Sequence, residues 1–412
     1  MYVRFWIAAG VAASLAMTST QALAQTTDPQ AHQHHQMTGT PGGWHFMQDG
    51  LVLGLFNDQG GPRGGDEFKV PNWWMGMLSR QRGRHEFALN MMFSLDPATV
   101  GDEGYGEIFQ VGETFEGKPL VDRQHPHDLF VQLAGSWRVS FSEHTALRLS
   151  GGPAGEPTLG PTAFMHRPSA SNLVLAPLGH HTFDSTHISF GVLAASVDRG
   201  RWTFEGSVFN AREPDEHRWD FDFGAMDSVA GRVWFRPAPG WEAQVSSGYL
   251  RDPEELTPGN AVRTTASLAW MKMKPDGPDF RAFAMGYGVN AAHDERRHGV
   301  FAEYSIEQGP NGVTGRLEFQ QVETAVLLGN DEHGAEEAAL VTALSLAGTR
   351  RFLTVRGFEA ALGAQVVFHV TPEVLQATHG DAPVSWQLFL RVRLPAGNMG
   401  RMWNMRMSQG HK

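Results

Sequence analysis

The chain has 412 residues, a formal net charge of −11, 47 glycines, 12 tryptophans and no cysteine. An acidic balance without a basic patch argues against a nucleic-acid partner, which needs clustered Lys and Arg. Without cysteine there is no disulfide framework and no thiol to carry a lipid anchor.

The opening residues Met1-Tyr2-Val3-Arg4 precede an apolar run from Phe5 to Met17, then small residues ending Ala22-Leu23-Ala24. This order reads as a secretory signal peptide over residues 1–24, cut after Ala24. The apolar run is shorter than the roughly 20 residues a spanning helix needs, and no other stretch qualifies. Residues 25–43 are polar and carry His32, His34, His35 and Met37, which predicts a flexible arm.

From residue 44 to 394 apolar and polar side chains alternate with a period of two, in about sixteen segments of roughly 10 residues each. The predicted strands are 44–56, 71–81, 84–95, 128–141, 145–152, 186–197, 201–210 and 226–236, then 241–250, 261–273, 279–290, 297–307, 313–323, 338–346, 358–370 and 384–394. Their connections alternate short and long. Short ones are 82–83, 142–144, 198–200, 237–240, 274–278, 308–312 and a looser 347–357; the longest are 96–127 and 153–185. That rhythm predicts an all-β fold, a transmembrane antiparallel β-barrel with both termini periplasmic and the long loops outside.

The faces agree. Phe87, Leu89, Met91 and Phe93 oppose Glu86, Asn90 and Ser94, while Trp386, Leu388 and Leu390 oppose Gln387 and Arg391. The apolar set is expected to face lipid and the polar set a water-holding lumen, with Trp44, Trp202, Trp241 and Trp270 forming an interfacial girdle. A soluble sandwich or propeller would also alternate. No blade-length repeat supports the propeller.

Chemistry concentrates in the two longest loops. The first ends in His125, His127 and Asp128; the second holds His180, His181 and Asp184, with His187 set on the lumen parity of the next strand, opposite Ile188 and Phe190. Imidazoles with carboxylates suit borderline divalent metals such as copper or zinc. The competing reading is that these groups only hydrogen-bond the loops into a constriction. Residues 395–412 form a tail with Met399, Met402, Met405, Met407 and His411, and thioethers favour Cu(I). A hydrolase reading is weak: no GxSxG elbow occurs, and Ser142, Glu143 and His144 sit in a tight turn.

Several stretches carry a resemblance: 112–115, 122–128, 151–157, 164–170, 177–181 and 210–216, among them Asp122-Arg123-Gln124-His125-Pro126-His127-Asp128 and Pro177-Leu178-Gly179-His180-His181. The chain resembles a family of Gram-negative outer-membrane β-barrel proteins often encoded beside copper and other heavy-metal resistance genes. The resemblance implies location in the cell outer membrane and a link to metal handling, and lends no site residues. The expectation is a passive channel that is not an enzyme and needs no cofactor, with copper ion as a candidate ligand. The alternative is a non-conducting barrel whose arms capture copper. Expected partners are outer-membrane lipids, the barrel assembly machinery and a small solute or metal ion, and a homo-oligomer is compatible with the fold.

Overall fold

The computed structural model describes residues 43–254, 259–274, 278–292, 295–329 and 338–395. The expected signal peptide, nearly all of the His-bearing arm and the Met-rich tail with Met399, Met402, Met405, Met407 and His411 lie outside the described residues.

The strands are β1 (Trp44–Gln59), β2 (Gly65–Lys69), β3 (Asn72–Arg82), β4 (His85–Phe93), β5 (Tyr105–Phe115), β6 (Lys118–Gln124), β7 (Phe130–Ser142), β8 (Thr145–Gly155) and β9 (Ser189–Arg199). They continue as β10 (Trp202–Phe209), β11 (Ser228–Phe235), β12 (Trp241–Leu250), β13 (Ala261–Met273) and β14 (Phe280–Ala292). The last five are β15 (Glu295–Gln308), β16 (Asn311–Val322), β17 (Ala339–Val355), β18 (Phe358–Val370) and β19 (Val384–Arg393). All but the β5–β6 hairpin join one antiparallel sheet, and β19 returns to pair with β1, Leu53 opposite Arg391. The sheet is a closed barrel of sixteen strands, because β2 and β3 form one staircase strand along β1. Pro71 splits that strand: lacking an N–H, it can only accept, and Leu53 N donates to its carbonyl at 2.9 Å.

Closure leaves the main sheet no open edge, the arrangement a wall of strands needs in lipid. Outside, Phe87, Phe204, Leu362, Phe368, Leu388 and Leu390 are exposed, as the alternation predicts for a lipid-facing band. Trp44, Trp202, Trp241 and Trp270 all lie at the short-turn end, Trp241 opposite Trp270 in the β12–β13 register.

Three expectations need correction. The looser turn expected over 347–357 is strand: β17 runs to Val355, with a bulge between Arg351 and Leu353 that breaks the period. The actual turn is Arg356-Gly357, both at positive φ (51° and 84°), as a two-residue hairpin with right-handed twist requires. Ile188 and Phe190, expected to face lipid, are buried with Met92, Val131 and Ala154. The cause is local: residues 185–187 form a 3-10 turn, and Gly191 takes φ 101°, so strand parity starts only after them.

The third correction concerns the lumen. It is not lined only by wetted polar groups, for the two longest loops fold into it. Leu53, Leu55, Val341, Val367 and Phe389 of the wall pack on Ile108, Phe109 and Leu175 of the loops as one buried apolar cluster. Each such fully buried side chain contributes roughly 1.5–3 kcal/mol, enough to hold loops that have few ladder bonds.

Candidate functional site

The loop between β8 and β9 circles the inside of the wall. Prolines at 157, 161, 168 and 177 deny it a strand ladder, and it forms only short turns at Phe164–His166, Pro168–Ala170, His180–Phe183 and Ser185–His187. Its polar groups therefore bond to wall side chains. Thr158 N donates to Ser207 Oγ (3.0 Å) on β10, and Gly160 N to Ser246 Oγ (2.9 Å) on β12. On β15, Glu303 receives Arg167 through Nε and Nη2, both at 3.0 Å. Asn172 bonds to Glu307, Thr314 and Thr349 and receives Arg391 (3.0 Å), and Val174 N donates to Gln365 (2.9 Å) on β18. Wall residues that would be wet in an open pore are thereby covered: Glu303, Arg316, Glu318, Gln365 and Gln387 are each at most 2 % exposed.

The loop between β4 and β7 closes the long-loop end with the β5–β6 hairpin, which the sequence reading left unstructured. Asp122, at φ 57°, ties four segments together: it accepts from Phe109 N (2.8 Å) and Arg63 (3.1 Å) and meets His379 Nε2 (3.0 Å). Gln110 donates to the Pro177 carbonyl at 2.7 Å, so the two long loops also hold each other.

Where they meet, five imidazoles gather. Ligand nitrogens of His125, His180 and His181 lie within 4.8 Å of one another. His187 sits 5.3 Å from His180, and His127 5.7 Å from His187, between ring centroids. In each ring Nδ1 meets an oxygen: His125 the Pro126 carbonyl (3.1 Å), His127 Asp96 (3.0 Å), His180 Asp184 (2.7 Å) and His187 the Asp184 carbonyl (2.7 Å). His181 Nδ1 faces Glu213 at 3.4 Å. The Nε2 atoms of His180 and His187 are buried with no hydrogen-bond partner among the described residues.

Burial sets the charge of these groups. It lowers His180 despite the Asp184 hydrogen bond, and with Arg218 and neighbouring imidazoles it pushes His125 well below the usual histidine range. His187 falls to about 3, through burial and then His180 and His127. Burial alone would raise the Asp184 carboxyl, but the His180 hydrogen bond and the charges around it hold it at about 2. These three rings are neutral at pH 7, the form that donates a lone pair.

Of the residues singled out by sequence, His125, His127, His180, His181 and His187 are thus brought together although they belong to two loops. Asp184 stands behind the rings, its second oxygen 3.3 Å from Arg167. Asp128 lies beside the cluster and pairs with buried Arg218 at 3.4 Å. Sequence reasoning missed Asp96, at the opposite end of the loop that holds His127, and Glu213 and Arg218, from the loop between β10 and β11, as partners. It also missed that His166 lines the adjoining cavity, its ring lowered to about 4 by burial. That cavity, about 100 Å³, sits at mid-height against β1 and β3 and is bounded by Asp49, Asn72, Trp73, His125, His127 and Arg393.

No protein-family model matches the chain, and no curated protein does. Among solved structures it is similar to OprB of Pseudomonas putida, with TM-score 0.53 and 10% identity over 85% of this chain and 94% of that one. It is also similar to a loop L8 deletion mutant of OmpT, an outer membrane protein of Vibrio cholerae, with TM-score 0.50 and 7% identity over 86% of this chain and 100% of that one. At such identities the likeness is one of fold: a barrel of the outer-membrane type.

Proposed function

We propose that the chain is an outer-membrane channel for small ions, whose path is a narrow imidazole-lined passage rather than an open pore. The observation that carries this reading is the cavity of about 100 Å³ between β1–β3 and the inserted loops, where wall and loops part and polar groups of both signs face each other. Elsewhere among the described residues the inward side chains of β15, β16, β18 and β19 bond directly to the loop. A path that narrow selects by charge and by the ability to shed water, as constrictions in channels do. The imidazoles favour metal cations among the candidate solutes.

The test is single-channel recording of the refolded protein in a planar bilayer. Small, discrete steps are expected. Steps as large as those of an unobstructed sixteen-strand barrel would overturn the narrow passage. A second reading, a closed barrel that binds metal without conducting, is favoured by the continuous bonding of loop to wall; it replaces the channel if the protein inserts and never conducts.

A further inference from the structure

The channel reading does not explain why five histidines converge, nor why two of them bury a ring nitrogen with nothing to bond. An unsatisfied buried nitrogen costs about 1–3 kcal/mol, a cost that a bound ligand at the nitrogen would remove. In His125, His180 and His181 Nδ1 lies against an oxygen, an arrangement that fixes a ring's orientation and, in metal sites, its tautomer. His180 shows this most fully: 1 % exposed, its Nδ1 is pinned by Asp184 at 2.7 Å and its Nε2 is the orphan.

We propose that His125, His180 and His181 form a binding site for a divalent transition-metal ion of the copper or zinc type, held between the two inserted loops. The donor set is three imidazoles with no thiolate, which suits borderline divalent ions over magnesium or calcium. An ion about 2.0–2.1 Å from each nitrogen sets the nitrogens roughly 3.3 Å apart, so the observed limit of 4.8 Å requires a contraction of at most about 1.5 Å. The rings sit on loops, one on the hairpin loop and two on a single helical turn, and a loop supplies such a movement more readily than a strand. The adjoining cavity reaches His125 and gives the ion a way in and a place for water on its open coordination position. His187, with its own orphan nitrogen, stands next to His180 as a further donor. Asp184 and Glu213 supply the negative charge behind the rings.

This inference does not depend on conduction, so its test reads the ion and not the current. Refolded full-length protein is titrated with Cu²⁺ and followed by electron paramagnetic resonance, whose hyperfine pattern counts coordinated nitrogens. One ion with several imidazole nitrogens is expected. The signal should survive the triple variant His32→Ala/His34→Ala/His35→Ala, which removes the competing ligands of the arm. It should weaken at least 100-fold in affinity in His125→Gln/His181→Gln and in His180→Gln. Because His180 is buried, its variant is used only if barrel formation is intact by circular dichroism and heat-modifiable migration; otherwise the double variant decides. A spectrum lost with the arm histidines, or unchanged in the double variant, overturns the site. A protein that conducts but binds no such ion overturns it and leaves the channel standing; one that binds and never conducts does the reverse.

Discussion

Replacing Arg167 with Ala removes a buried, bidentate tie between the inserted loop and the wall. The guanidinium makes two 3.0 Å bonds to Glu303, approaches Asp184 at 3.3 Å and lies 4.5 Å over the Phe301 ring, all buried. Removing one partner of a buried pair costs about 3–5 kcal/mol, because the other charge stays behind uncompensated. Here Glu303 keeps Ser169 Oγ at 2.9 Å and Arg316 at 3.9 Å, and Asp184 keeps His180, so the lower end applies. About 3 kcal/mol shifts the balance between docked and released loop roughly 10²-fold. The barrel itself should remain, since no ladder bond is touched. The assay is limited proteolysis of the refolded barrel, with single-channel recording alongside. Cleavage in 156–188 should speed up and larger conductance levels should appear. Wild-type proteolysis and wild-type steps in a folded Arg167→Ala barrel would refute the idea that this contact keeps the lumen filled.

Acid should release the same loop. His180 and His187 on this loop, and His125 packed against it from the other long loop, have folded values below the ordinary value of about 6.5, so between pH 6.5 and those values the rings freed by release take up protons that the docked rings refuse. Stability from these groups is complete above pH 6.5 and is lost as pH falls towards about 3; proteolysis of 156–188 should therefore rise steadily from pH 7 to pH 4, and a flat or falling profile contradicts the assignment. On the outer face, Leu388→Arg places a charge near the middle of a lipid-facing strand and should cost about 2–4 kcal/mol in a bilayer folding titration. A cost near zero would mean that Leu388 does not face hydrocarbon.

The wall was legible because each strand carries its own code. In β18 and β19 the alternation of Leu362, Phe368, Leu388 and Leu390 with Gln365, His369, Gln387 and Arg391 states which side faces lipid, and neighbouring strands need not be known to read it. The code fails where the backbone departs from the pleat, at the bulge around Phe352 and at the positive-φ Gly191, so alternation alone ends β17 too early and gives Phe190 the wrong face. The interior was legible only as composition. His125 and His180 are 55 positions apart in the chain, and nothing periodic links them. What brings them together is the sum of loop-to-wall bonds such as Arg167 to Glu303 and Gly179 to Glu318, pairs that a single sequence does not connect. The apolar residues Leu53 and Leu55 on the inner face of β1 were the available hint that the lumen holds a packed core, since a water-filled pore has no use for them.

The absence of native cysteine makes the most direct measurement simple, because any single introduced thiol is the only one in the chain. Met75→Cys places a thiol at the cavity beside β1, and Gln365→Cys places one on the wall behind the inserted loop, where Gln365 is 2 % exposed. With a small charged thiol reagent added to the inserted barrel, Met75→Cys should be labelled quickly and Gln365→Cys slowly or not at all. Equal, rapid labelling at both positions would mean an open, water-filled lumen and would contradict the account of a barrel narrowed to one passage.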